Sequence, residues 1–368
     1  MKNQKKYLEL LNVAAEGKVK LNVRQIEALL SPPDEACEKK LFEAALKLKR
    51  KLFGNLVNLR GLIEFSNICK CDCLYCGIRR SNSKVTRYTM SETEIIHSAA
   101  LASEFGYGAV VLQSGERDDA GFTGQVTSLI TKINALPHPP AITLSCGEQT
   151  LKTYREWVKA GAKRYLLRIE SSTSKLFNAI HPESTTLASR KAALRRIRRA
   201  GFQTGTGVMI GLPGQTLKHL AHDIKFFRDI DVDMIGMGPF LPQQDTPMGN
   251  ADNTPATIRR RFSWALRMIA VTRLVLRDVN IASTTALQAL DPENGREKGL
   301  LAGANVIMPN VGEVAYRKDY QLYNGKPALD ENGRNIRTAL LESLHKIGEE
   351  PRWNSSGDPI HFVKRTAK

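Results

Sequence analysis

Outside one short stretch, this 368-residue chain has almost no cysteine. Cys37 and Cys146 stand alone, and the other four, Cys69, Cys71, Cys73 and Cys76, crowd together in EFSNICKCDCLYCGIRR (64–80). That distribution is no disulfide framework and points to metal or redox chemistry in a reducing compartment. A zinc site of two separated pairs is also missing its second half, because no other C-x2-C accompanies Cys73 and Cys76. His97, His138, His181, His219 and His222 fall singly on expected helices or loops and read as packing or surface residues. Long apolar runs are absent: none approaches the ~20 residues of a membrane helix. The basic start MKNQKKYLELLNVAAEGK has no uninterrupted apolar core, so no secretory signal and a cytoplasmic protein without a membrane partner are expected.

Interleaved aromatic and basic residues are also missing, so a nucleic-acid module built around a structural iron–sulfur cluster is the weaker reading despite a net charge of +17. The basic residues gather in 39–51, 190–201 and 259–262. Apolar residues keep a helical period between them, as on solvated helix faces. An acidic macromolecular partner is the other reading.

What is present is a regular beat. Short β-branched runs recur at 59–66, 108–115, 141–147, 164–171, 204–211, 233–240, 280–287 and 305–310, with helix-like segments of apolar residues three and four apart between them. Strand alternating with helix predicts a parallel sheet, and eight units suit a closed (β/α)8 barrel. No glycine-rich dinucleotide fingerprint supports an open doubly wound sheet. Residues 1–55 read as a helical lead-in, 56–330 as the barrel, and 331–368 as a helix and tail packed outside it, with 325–335 a loop. Polar and glycine residues collect where the strands end: the cysteines, Glu116, Ser145, Glu170, Gly211, Thr284, Thr285 and Asn310. In a parallel barrel those ends share one face.

The cysteines parse as Cys69-x3-Cys73-x2-Cys76, with Tyr75 before the last and Cys71 left over. Three thiolates can hold three irons of a [4Fe–4S] cluster and leave the fourth open to a ligand. This spacing, following the first strand of a barrel, resembles the radical S-adenosylmethionine (SAM) superfamily. The resemblance implies that SAM binds the open iron and is cleaved to a 5′-deoxyadenosyl radical. It also implies that SAM meets Gln113 and Glu116 of QSGE, Ser145, Glu170, Arg190, and Gly211 of GVMIGLPGQT. On the residues alone, Glu116 could be a helix cap, Arg168 with Glu170 a buried stability pair, and Gly211 a turn.

From about Leu41 to Tyr323 the chain is similar to HydE-type [FeFe]-hydrogenase maturases. The carriers are LRGLIEFSNIC, CLYCGIRRSN, RYTM, VLQSGE, AGAKRYLLRIES, GVMIGLPGQT, DMIGMGPFLPQQDTP, ASTTAL, GANVIMPN and YQLYNGK. This implies a substrate cavity involving Thr143, Arg168, Met234, Thr284, Thr285, Tyr320 and Tyr323. Core packing is the alternative for Met234 and the two threonines Thr284 and Thr285, and a helix face for the two tyrosines. The implied substrate is an iron–carbonyl–cyanide–cysteine precursor. The implied partners are the other hydrogenase maturases and a reductant protein such as ferredoxin or flavodoxin. A methylornithine-synthase-like mutase, or a HydE paralogue with another substrate, is the nearest alternative. No cysteine follows Cys146, so the accessory C-terminal cluster of some HydE-like proteins is not expected, and the family's QSGED reads QSGERDD, with Arg117 in place of an acid.

Overall fold

The computed structural model describes residues 2–367. Its strands are β1 (Leu56–Ser66), β2 (Ala109–Ser114), β3 (Ala141–Ser145), β4 (Arg164–Leu166), β5 (Gln203–Thr206), β6 (Met209–Ile210), β7 (Met234–Ile235), β8 (Gly238–Pro239), β9 (Asn280–Ile281), β10 (Val306–Ile307) and β11 (Glu350–Arg352). Parallel ladders link them in the order β10-β1-β2-β3-β4-β5-β7-β9. A parallel bridge between Ala282 and Val306 then joins the two ends. The ring is therefore closed with eight staves, one at each expected strand. β6 and β8 prolong the fifth and sixth staves beyond short breaks and pair with each other.

The staves are hydrophobic because both faces are covered: β2, AVVLQS, is buried at every position but Gln113. Helix starts are set by side-chain caps. Ser91 and Glu94 form a capping box before Glu92–Glu104, and Thr150 and Thr186 accept the backbone N–H groups of Thr153 and Ser189. The helices Leu151–Ala160 and Leu187–Ala200 end at Gly161 (φ +115°) and Gly201 (φ +102°), and this left-handed turn sends the chain back into β4 and β5. Among the described residues no helix is long and apolar enough to cross a membrane.

The first fifty-odd residues form the helices Lys2–Glu16, Val23–Leu30 and Glu35–Phe53. These bury Ile26, Leu29, Leu41 and Ala45 against the barrel's outer helices. The tail differs from expectation. After the helix Gly333–Lys346, β11 pairs with β1 in register Leu56↔Glu350, and residues 355–358 then cork the lower mouth of the barrel. The cause is electrostatic. Arg60 and Arg164 are fully buried, and their guanidinium groups need acceptors. Arg60 Nη2 donates to the Gly357 carbonyl at 3.2 Å, Arg164 Nη2 to the Ser356 carbonyl at 2.6 Å, and Arg164 also pairs with Asp358. Asn280 Nδ2 adds a second bond to Gly357, at 2.8 Å. A Cβ on Gly108 would stand 1.9 Å from the Ser355 carbonyl, so the strand entry leaves room for the cork only with glycine there. Nothing in the local sequence of the tail announces this long-range contact.

Candidate radical-chemistry site

β1 ends at Ser66, and the loop that follows carries the four cysteines across the upper mouth. Arg87 organises it by donating to the carbonyls of Asn67 (2.8 Å), Ile78 (2.9 Å), Arg79 (2.5 Å) and Asn82 (3.2 Å). Asn67 Nδ2 ties the loop to the carbonyls of Thr86 and Asp319, each at 2.7 Å. Asp72 holds the outer turn through Arg79 Nε (2.8 Å) and the Ser81 hydroxyl (2.5 Å).

Cys69, Cys71, Cys73 and Cys76 all line one cavity of about 430 Å³ inside the mouth. Cys69 Sγ accepts the N–H groups of Cys71 (3.4 Å) and Glu116 (3.3 Å). The neighbouring Cys71 thiol and these amides draw the Cys69 thiol down to about 7 against its burial. Burial instead pushes Cys73 up to about 12 and raises Cys76. Among the described residues, no three Cys, His, Asp or Glu groups converge as a single ion requires. A four-iron cube takes its thiolates at separate corners, so three soft donors spread along one wall fit it better than a mononuclear site.

The neighbouring strand ends supply the rest of the wall. Gln113 is next to last in β2, Glu116 follows that strand, Ser145 ends β3, and Arg190 heads the helix Leu187–Ala200; all four line the cavity. Arg190 Nε donates to Glu148 Oε1 at 2.7 Å and Nη1 to the Arg168 carbonyl at 2.7 Å. Tyr75 lies edge-on to His181, ring centroids 5.6 Å apart, so this histidine backs the cysteine loop. Thr284, Thr285, Tyr320 and Tyr323 close the far side. Thr285 Oγ1 and the Tyr323 hydroxyl are 2.7 Å apart, and Tyr320 is 1 % exposed.

Four expected residues stand off the wall. Glu170 has φ +60° and turns onto Arg168, Nε to Oε1 3.0 Å. Burial raises its carboxyl although the Arg168 and Arg190 guanidinium groups pull it down, and Oε2 has no hydrogen-bond partner. Thr143, two residues before Ser145 on β3, is fully buried one layer lower, with its hydroxyl unpaired. Met234 opens β7 and sits against the Arg60 guanidinium, again below the cavity. Gly211 gives its N–H to Gln215 Oε1 (2.6 Å) and its carbonyl to Arg261 Nε (3.0 Å). Arg117, the departure in QSGERDD, bonds Asp119 at 2.9 Å, and Asp119 caps the helix Ala120–Asn134.

Sequence reasoning passed over several wall residues. Glu64 and Lys326 form a buried pair, with Nζ 2.6 and 2.5 Å from the two carboxylate oxygens. Asn310 Nδ2 donates to the same carboxylate at 2.9 Å. Glu64 was detectable as the one acid inside LRGLIEFS, since a buried charge in a strand demands a partner. Lys326 gave no such sign, standing in a loop 262 residues away. Arg296 and Arg317 on the wall, and Glu148 behind Arg190, were equally silent.

A family model described as the radical SAM superfamily matches residues 63–227. The [FeFe] hydrogenase maturase subunit HydE of Thermotoga maritima is 39 % identical over 326 residues, covering 89 % of this chain and 90 % of that protein. The 3-methylornithine synthase of Methanosarcina acetivorans is 25 % identical over 334 residues, covering 89 % of each. Among solved structures, methylornithine synthase superposes with TM-score 0.77 at 24 % identity, covering 94 % of this chain and 98 % of that one. The hydrogenase maturase HydG superposes with TM-score 0.81 at 18 % identity, covering 99 % and 81 %.

Proposed function

Because the chain belongs to the radical SAM superfamily and, within it, to the HydE family of [FeFe]-hydrogenase maturases, we propose that it generates a 5′-deoxyadenosyl radical to help build the hydrogenase's diiron subcluster and its dithiolate bridge. One observation carries this reading: the three motif thiols open onto the same cavity as Gln113, Glu116, Ser145 and Arg190. Cys69, Cys73 and Cys76 would hold a [4Fe–4S] cluster, which when bound supplies an open iron for SAM and the electron that cleaves its C–S bond. The chain's own groups then bind and orient. Glu116 and the carbonyls beside it offer acceptors to the SAM ammonium group. Arg190, held by Glu148 and by the Arg168 carbonyl, offers the fork that a carboxylate takes. Glu170 sets the direction of Arg168, which faces the chamber between the SAM side and the Thr285–Tyr323 side. Thr285, Tyr320 and Tyr323 line the half where an iron–carbonyl–cyanide–cysteine precursor would sit, under a mostly apolar wall that keeps water from the radical.

A low-potential protein such as ferredoxin or flavodoxin would supply the electron, and the other hydrogenase maturases would supply the precursor and take up the product. With no cysteine beyond Cys146, we assign the chain this one cluster.

The test is spectroscopic. In anaerobically reconstituted protein, SAM should shift the EPR signal of the reduced cluster and yield 5′-deoxyadenosine. A signal indifferent to SAM would mark a fully ligated, structural cluster and overturn the reading.

A further inference from the structure

The cavity does not end at the barrel wall. It continues past the rim of β10 to Gln288, Arg296, Ile336 and Ala339, which stand on the helices Thr285–Leu290, Gly295–Leu301 and Gly333–Lys346 outside the ring. A strap, residues 326–331, roofs this extension. Two buried cations fasten the strap. Lys326 holds the Glu64 carboxylate and the Tyr320 carbonyl, the latter at 2.9 Å. Arg317 donates to the Gly312 carbonyl (2.7 Å), to the Ala328 carbonyl (3.1 Å) and to that of Glu331. Ala328 has φ +60°, a conformation that a non-glycine residue holds only where its surroundings force it. The far end reaches the surface, where Ala339 is exposed.

The groups facing this side arm define what it could hold. Pro327, Leu329 and Ile336 make its walls apolar. Lys326 and Glu64 neutralise each other, and every bond that Arg317 makes is spent on the strap and the Gly312 turn. Glu331 contributes one acid at the exposed rim. Arg296 is the donor left over. Its Nη2 makes only a long 3.4 Å contact with the Ser343 hydroxyl. Its Nε lies 3.5 Å from Glu297 Oε1 but is buried and out of line for a hydrogen bond. The Arg296 side chain, 14 % exposed and beside Glu297, keeps a buried Nε without a hydrogen-bond partner between apolar walls, which suits one chemical class: a small carboxylate with an apolar body, taken by the arginine fork.

We propose that the side arm is a carboxylate-binding subsite centred on Arg296, with its own opening beside Ala339, so that a small acid reaches or leaves the chamber without passing the cysteine loop. The part such an acid plays in the reaction rests on the maturase reading above; its binding does not.

Crystals of the full, reconstituted chain soaked in 4-bromobenzoate test the binding through bromine anomalous scattering. The subsite predicts a bromine peak in the arm with the carboxylate on Arg296, lost in Arg296→Gln and weakened in Arg296→Lys, which keeps the charge without the fork. Ala339→Phe alters an exposed position and leaves every charge in place, and it should also remove the peak by filling the opening. A wild-type crystal without a peak in the arm overturns the proposal. So does a peak that persists in Arg296→Gln, or bromine found on surface arginines alone, which would be an adventitious additive only. Failure of the wild-type protein to mature a hydrogenase would overturn the maturase reading and leave this result intact.

Discussion

Arg190 and Glu148 form an ion pair of 2.7 Å, with side chains 8 % and 13 % exposed, where the helix Leu187–Ala200 meets the loop after β3. The pair fixes a guanidinium beside the cysteines while leaving part of its fork for a ligand. Arg190→Lys keeps the charge and loses the fork. It should weaken SAM binding about tenfold, the effect of one charge-assisted hydrogen bond of ~1.4 kcal/mol. Iron content should be unaltered. SAM titration followed by the EPR shift of the reduced cluster reads both; unchanged SAM affinity would remove Arg190 from the SAM site.

Cys71 shares the cavity wall with the three motif cysteines, yet it sits two residues from Cys69 and serves it through an N–H bond of 3.4 Å. Cys71→Ser preserves that amide and should retain close to four irons per chain after reconstitution. Cys76→Ser should lose most of them. Iron and sulfide analysis distinguishes the two, and equal loss would make Cys71 a ligand.

The Glu64–Lys326 pair has side chains only 5 % and 8 % exposed. Removing one partner strands a buried charge. Glu64→Gln and Lys326→Met should therefore each cost about 3–5 kcal/mol in denaturant unfolding. The joint change Glu64→Leu with Lys326→Met should recover most of that loss. Equal losses in the single and joint variants would mean that packing, not charge, holds the strap.

At the bottom of the barrel, His361 bridges Asp231 (2.6 Å) and Asp278 (3.2 Å). The hydrogen bonds to Asp278 and Asp231 raise its pKa above the ordinary histidine value. Lys364 and Arg365 add cations to the same two acids. A histidine raised on folding contributes stability fully below its unfolded value of about 6.5. That contribution is lost as pH climbs through the folded value. Hydrogen exchange in 355–366, corrected for intrinsic rate, should thus be slower at pH 6 than at pH 8.5, and His361→Gln should remove the difference. A pH-independent wild type would contradict a stabilising role for the protonated His361.

The barrel was legible because its cause is local: each stave is a short apolar run bounded by turns, and eight of them fix the closure. The cysteine motif was legible because its spacing lies within eight residues of the chain. The same holds for Gln113, Glu116 and Ser145, which stand where strands end and therefore where a parallel barrel opens. Thr143 and Met234 lie on the staves one layer below the cavity lining, since position along a stave depends on the stagger between strands, which no single strand encodes. Arg168 and Glu170 were read as neighbours on one face and do meet, though the positive φ of Glu170 is invisible in LLRIES. The strap, the cork and their buried cations were illegible. Lys326 finds Glu64 across most of the chain, and Arg164 finds Asp358 194 residues on, so only the folded barrel brings them together.

The most direct measurement is hydrogen evolution by an [FeFe]-hydrogenase matured anaerobically with the other maturases and this chain as the sole HydE-type component. A Cys73→Ser version and the Thermotoga maritima protein would run alongside. The wild-type chain should yield hydrogenase activity and Cys73→Ser none. Formation of 5′-deoxyadenosine from SAM without any hydrogenase activity, in a system that the Thermotoga protein completes, would contradict the maturase reading.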